Sequence, residues 1–176
     1  MLLASATRSG RTAPATRVKL ARPFASVVLS SICVPDWYSA TGSLKDRIYL
    51  HMFERAEARG DLRPGVRVLE CSTGNAGIAC AFVAAVKGYR CTIVMPEGMS
   101  DERKKIMRAY GADLVFTPGG ESDVDLSLHR LEEIRARDRT GYWVPGQFDN
   151  ADNIEAHYRT TGPEIWEQTG GELDAL

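Results

Sequence analysis

The 176-residue chain carries 22 Lys and Arg against 23 Asp and Glu, a net charge of −1, with 44% hydrophobic and 26% charged residues. That balance describes a soluble globular protein long enough to bury a sizeable core, and it offers no basic surface to nucleic acid or to an anionic membrane. No apolar run approaches the ~18 residues of a membrane-spanning helix, and the four cysteines (33, 71, 80 and 91) lack C-x-x-C spacing, which argues against a metal site and for reduced thiols in a reducing compartment.

Charge is uneven along the chain. The first 35 residues hold Arg8, Arg11, Arg17, Lys19 and Arg22 and no acid, whereas the remainder holds 17 basic and 23 acidic residues, a balance of −6. Residues 1–35 read either as an Arg- and Ser-bearing, acid-free transit peptide or as a short basic lead followed by an edge strand over residues 25–32. Pro14 and Pro23 interrupt a continuous amphipathic helix, which favours the second reading. The cytoplasm is the expected location, with an organelle matrix as the alternative.

Residues 36–176 form the second unit, and from Ser43 onward helices and strands alternate. The patterning predicts helices over about 44–59, 75–87, 101–110, 122–137 and 152–168, and strands near 66–70, 90–95, 113–117 and 142–145. Ser43 with Asp46 three residues on reads as a capping box, so Lys45 falls in the first turn of its helix. An ammonium there faces the positive end of the helix dipole, which favours the neutral amine, the form that attacks a carbonyl. The segment 66–70 ends in Glu70 and leads through Cys71-Ser72-Thr73-Gly74-Asn75-Ala76-Gly77 into a stretch that is apolar nearly all round, as a buried helix should be. A strand, a turn of small residues and a helix N-terminus gather backbone N–H groups at one point, suited to a carboxylate or phosphate.

Farther along, Cys91-Thr92-Ile93-Val94-Met95 is short, β-rich and stopped by Pro96, as a buried parallel strand should be. Ser100 is placed to cap the third helix, and Gly60, Gly88 and Gly111 each to close one. This alternation predicts an α/β fold of three layers, a parallel sheet with helices on both faces and ligands at the carboxyl ends of the strands. His51, His129 and His157 fall on helices and read as surface or packing residues. Gly119 and Gly120 read as a turn, and no nucleotide-binding glycine motif is present.

Taken together, Ser43-Leu44-Lys45-Asp46-Arg47 and Ser72-Thr73-Gly74-Asn75-Ala76-Gly77 resemble the β-family of pyridoxal-phosphate enzymes, fold type II. Met95-Pro96-Glu97-Gly98-Met99-Ser100-Asp101-Glu102-Arg103-Lys104, then Tyr110-Gly111-Ala112-Asp113-Leu114-Val115, narrow the likeness to the cysteine synthase and cystathionine β-synthase branch. Gln147-Phe148-Asp149-Asn150 followed by Thr160-Thr161-Gly162-Pro163-Glu164-Ile165-Trp166 does the same. The resemblance covers residues 36–176, in the family's order.

The resemblance implies roles for individual residues. Lys45 would hold pyridoxal 5'-phosphate as a Schiff base and, once released, act as the base that removes the substrate α-proton. Asn75 would hydrogen-bond the cofactor's ring hydroxyl, although an asparagine there is also a good helix N-cap. Ser72, Thr73, Gly74 and Ala76 would grip the substrate α-carboxylate, with Gln147 reaching the same group. Two departures from the family pattern bear on this. Ala76 stands where the family commonly has a hydroxyl, and Ser39-Ala40-Thr41-Gly42 replaces the usual Asn-Pro-Gly-Gly turn.

The implied reaction is β-replacement on O-acetylserine or serine, with sulfide or a thiol adding to give cysteine or a thioether. The resemblance leaves cystathionine β-synthase and serine/threonine dehydratase activities open, as well as a non-catalytic truncated α/β module. It also implies an incomplete unit, stopping before the family's glycine-rich phosphate loop and inactive alone, with an exposed sheet edge and apolar surface. The full-length form would be a homodimer acting on small molecules.

Overall fold

The structure, a computed structural model, describes residues 39–172. The basic lead over residues 1–35, the edge strand expected at 25–32 and the terminal residues 173–176 lie outside the described residues. Four parallel strands, β1 (Arg67–Cys71), β2 (Cys91–Pro96), β3 (Asp113–Thr117) and β4 (Tyr142–Trp143), lie side by side in the order β3-β2-β1-β4. The helices among the described residues are α1 (Lys45–Arg59), α2 (Asn75–Lys87), α3 (Asp101–Ala109), α4 (Val124–Arg137), α5 (Ala151–Ala156) and α6 (Gly162–Gln168). A π-helical turn, His157–Thr161, joins the last two.

β1 and β2 bury both faces, and their side chains sort by the two-residue period of a pleat. Val68, Ile93 and Met95 point into the larger core with Ile48, Tyr49, Met52 and Phe53 of α1 and Ile78, Ala79 and Val83 of α2. Leu69, Cys71 and Val94 point the other way onto Leu131 of α4. Each large side chain fully buried in this way contributes about 1.5–3 kcal/mol. Phe53 meets Trp143 edge-on at 4.9 Å between ring centroids, which ties α1 to the short strand β4. Gly60 and Gly88 close α1 and α2 at φ +79° and +82°, the left-handed conformation that ends a helix cheaply only at glycine.

Several expectations need correction. The helix expected over 152–168 is interrupted by the π-turn, where the Gly162 N–H bonds His157 C=O, five residues back. Pro163 has no N–H with which to continue an α-helical ladder, and Arg47 draws both Thr160 and Thr161 toward itself at 3.0 and 3.1 Å. The capping box does not close as expected. Ser43 Oγ accepts the Lys45 N–H at 3.2 Å, but the Asp46 carboxylate turns to the N–H and hydroxyl of Thr41 instead of reaching back to Ser43. The Ser43 N–H is taken by Ser39 Oγ at 2.8 Å, which leaves Asp46 to brace the preceding turn. Ser100 does precede α3, yet its side chain accepts no capping hydrogen bond. Asn75 is the first residue of α2 rather than its N-cap, a place held by Gly74. β4 ends at Trp143, two residues early.

Candidate active site

α1 and α2 both run antiparallel to the strands, so their N-termini meet the carboxyl edge of the sheet. Tyr49, one turn after Lys45, donates its hydroxyl to Glu70 Oε2 at 2.8 Å, which pins the start of α1 beside the end of β1. Gln147 follows β4, the parallel neighbour of β1, and reaches the same edge. The fold therefore gathers Lys45, residues 72–76 and Gln147 on one rim, as the strand-and-helix alternation requires.

On that rim, Lys45 is half-buried and its side chain makes no hydrogen bond or ion pair among the described residues. Its backbone is held firmly. Asp46 is fully buried against Thr41, and Arg47 spans to Thr160, Thr161 and Glu164, the last at 2.8 Å. A lysine fixed at its Cα and free at its Nζ is placed to form and break a covalent bond to a carbonyl.

The loop after β1 is organised by Ser72. Its buried Oγ accepts the N–H of Gly77 at 2.8 Å and of Gly74 at 3.3 Å, so it caps α2 from outside the helix. Two accepted bonds leave its own O–H to donate. The N–H groups of Asn75 and Ala76, first in α2, have no carbonyl a turn behind them within the helix. Asn75 is exposed and its amide takes no partner among the described residues, while Ala76 buries its methyl in the larger core. Thr73 is half-buried, and its carbonyl accepts from Arg103 Nη1 of α3 at 3.2 Å.

Gln147 is buried in a braced loop: its carbonyl accepts from Asn153 Nδ2 at 2.8 Å, and Asn150 spans Pro145 C=O and the Asp152 N–H. The histidines act as expected of packing residues, with His51 on Glu155 and His157 on Thr161. Gly119 and Gly120 form the expected turn, in which Gly119 C=O accepts the Gly98 N–H at 2.9 Å.

Three residues of this rim escaped the sequence reading. Arg103 had a signal, since it lies in the block beginning at Met95. Tyr49 and Glu70 had less, beyond the oddity of an acid at the end of an apolar strand. Glu70 is buried and accepts the Cys71 N–H as well as the Tyr49 hydroxyl; burial pushes its carboxyl up to about 7. The same burial, then the Glu70 charge, raises Tyr49 and pushes the Cys71 thiol up to about 12.

Residues 18–176 match the family described as pyridoxal-phosphate dependent enzyme. The chain belongs to that family. It is 44% identical over 142 residues to a cysteine synthase of Staphylococcus aureus, covering 80% of this chain and 45% of the relative. Cysteine synthase A of Salmonella typhi is 48% identical over 134 residues, which are 76% of this chain and 41% of that protein. Of solved structures, O-acetyl serine sulfhydrylase isoform 3 from Entamoeba histolytica aligns at a TM-score of 0.76 and 30% identity, over 95% of this chain and 55% of the other. A hydrogen sulfide-producing enzyme from Fusobacterium nucleatum aligns at 0.74 and 40% identity, over 79% and 45%.

The fold type II architecture read from the sequence is thereby shown, and the family's cofactor is pyridoxal phosphate. The chain spans less than half the length of these curated relatives. The groups on its rim are compatible with that cofactor: a primary amine at Lys45 that would suit the aldehyde and a side-chain amide at Asn75 that would suit a ring oxygen, neither with a partner among the described residues, beside helix-end N–H groups that suit an anion.

Proposed function

We propose that Lys45 and the rim around it serve a pyridoxal-phosphate-dependent β-replacement, on O-acetylserine or serine, in which sulfide or a thiol adds to give cysteine. The observation that carries this reading is an amine with a fixed Cα and no partner among the described residues, on the same sheet edge as the capped loop of residues 72–77. When bound, the cofactor supplies an electron sink for the α-carbon.

The chain's own residues do the rest. Lys45 Nζ would hold the cofactor through its aldehyde and, once freed by the substrate amine, would take up the substrate α-proton. The Asn75 amide orients the ring. The N–H groups of Asn75 and Ala76, the hydroxyls of Ser72 and Thr73 and the Gln147 amide bind the substrate carboxylate. With alanine at 76 the carboxylate is held there through backbone alone. Gly74 has no side chain to crowd the ligand. A cytoplasmic homodimer accords with the balanced charge, the buried free thiols at Cys71, Cys80 and Cys91, and the exposed Phe148, Ile154, Tyr158 and Trp166.

Borohydride reduction after incubation with pyridoxal phosphate, followed by peptide mass spectrometry, tests the assignment. The wild-type chain should carry the reduced adduct on Lys45, and Lys45→Ala should carry none. An adduct of undiminished yield on another lysine of the variant would refute it.

A further inference from the structure

The N–H groups of β1 alternate between its two neighbours: Val68 and Ser72 donate to Arg90 and Val94 on the β2 side, and Arg67 donates to Gly141 on the β4 side. Cys71, four residues after Arg67, faces the β4 side too. There, among the described residues, the ladder has already stopped, because β4 pairs with β1 through Tyr142 and Trp143. The orphaned Cys71 N–H is instead taken by Glu70 Oε1 at 2.8 Å. The other carboxyl oxygen accepts from Tyr49 Oη, also at 2.8 Å. Tyr49 is fully buried and Glu70 nearly so, in a core otherwise built from Ile48, Met52, Phe53, Val68 and Ile93. A buried polar pair contributes less than an apolar pair of the same volume would, so its value lies in fixing one arrangement over its neighbours. Packing alone would let α1 slide or turn slightly over the sheet, whereas a directional bond to the strand end does not.

We propose that Tyr49 and Glu70 are positioning residues: the Glu70 carboxyl replaces the missing ladder partner at the end of β1 and, through the Tyr49 hydroxyl, fixes the helix that bears Lys45 against the loop of residues 72–77. The proposal rests on the lysine reading above for its functional meaning, but its structural half does not. Tyr49 stands one turn from Lys45, and Glu70 two residues from Ser72, the cap of the loop. The two bonds on one carboxyl thus join both halves of the site by the shortest path in the chain.

Amide hydrogen exchange on the intact chain, without cofactor, tests the strut, and trapping of pyridoxal phosphate tests its consequence. Tyr49→Phe removes one hydroxyl and no bulk. Exchange at residues 72–77 should quicken by about tenfold or more, the loss expected when one hydrogen bond to a buried acceptor is removed. Exchange within β3 should stay unchanged, and the pyridoxal phosphate concentration needed for half-maximal borohydride trapping on Lys45 should rise. Glu70→Gln, which keeps an acceptor for the Cys71 N–H and joins Tyr49 by a reversed bond in which the amide N–H donates to the hydroxyl oxygen, should leave both readouts near wild type. Glu70→Ala should not; if it fails to fold, the two isosteric variants decide. Unaltered exchange at 72–77 in Tyr49→Phe, or exchange raised equally over the whole sheet, would overturn the strut. Failure of the wild-type chain to trap cofactor on Lys45 would instead sink the lysine reading and leave the exchange result standing.

Discussion

A carboxyl buried at the end of β1 should leave its mark on stability as pH changes. Glu70 is raised from 4.5 to about 7, by burial first, against the opposing pull of its bonds to Tyr49 and Cys71. In the unfolded chain the proton leaves near the lower value; in the folded chain it stays until the higher one. Between the two the unfolded state binds fewer protons, so the free energy of unfolding falls as pH rises through that window and levels off above about 7. At about 1.36 kcal/mol per pH unit, the full span amounts to on the order of 3 kcal/mol. Glu70→Gln has the same shape and no proton to lose. Urea unfolding at a series of pH values, read by the fluorescence of the buried Trp143, should show wild type losing stability relative to the variant from about pH 4 to about pH 8. Asp152, held low chiefly by its bonds to Arg59, acts in the opposite sense: it adds stability above its unfolded pKa that is lost as pH falls. It does so in both proteins, and the comparison cancels it. Two stability curves that run parallel across the window would refute the reasoning.

Three further substitutions probe what holds the rim in place. A methyl added at Gly98 would sit 2.8 Å from the backbone oxygen of Gly119, which cannot rotate away, so Gly98→Ala should destabilise by about 1–3 kcal/mol in urea unfolding. At Gly77 the nearest atom is the flexible end of Met107, also at 2.8 Å, so Gly77→Ala should be the milder change; equal losses would contradict the distinction. Arg47→Met keeps the aliphatic stem and removes the guanidinium that bonds Thr160, Thr161 and Glu164. Because Glu164 is about a quarter exposed, the loss should be about 2 kcal/mol, below the range for a fully buried pair, with Tm lowered accordingly. An unchanged Tm would show that the π-turn does not depend on this bond.

The sequence was most legible where local chemistry decides structure. Apolar residues on all sides of α2, a β-rich run stopped by Pro96, and glycine after α1 and α2 each located an element within a residue or two. Lys45 and the turn from Ser72 to Gly77 stand out in the sequence because the motifs that mark them are contiguous stretches of a few residues. What escaped were features set by distant partners. The π-turn answers to Arg47, 113 residues before Thr160. The pair of Tyr49 and Glu70 depends on where β4 happens to end, and nothing in residues 67–71 announces that. The capping box failed for a related reason: Ser39 and Thr41, just ahead of the motif, compete for the groups that Ser43 and Asp46 would have exchanged.

α1 shows how these contacts serve chemistry. Tyr49, Met52, Phe53 and Ala56 recur at helical spacing and bury one face in the core. Arg47, His51, Arg55 and Arg59 recur every four residues and meet Glu164, Glu155 and Asp152 on the last helices. Held on two faces, the helix has little freedom to tilt, so the Cα of Lys45 is fixed with it. Beyond the Cβ, the lysine side chain has no hydrogen bond or ion pair among the described residues. The role proposed above for this amine would need such a division, with rigidity below the Cβ and freedom beyond it. Among the buried polar residues, Ser43, Asp46, Arg47, Glu70 and Ser72 lie beside Lys45 in the chain or at the end of β1 and the loop that follows it. Those bonds add little net stability, but each removes a way for the two halves of the site to drift apart.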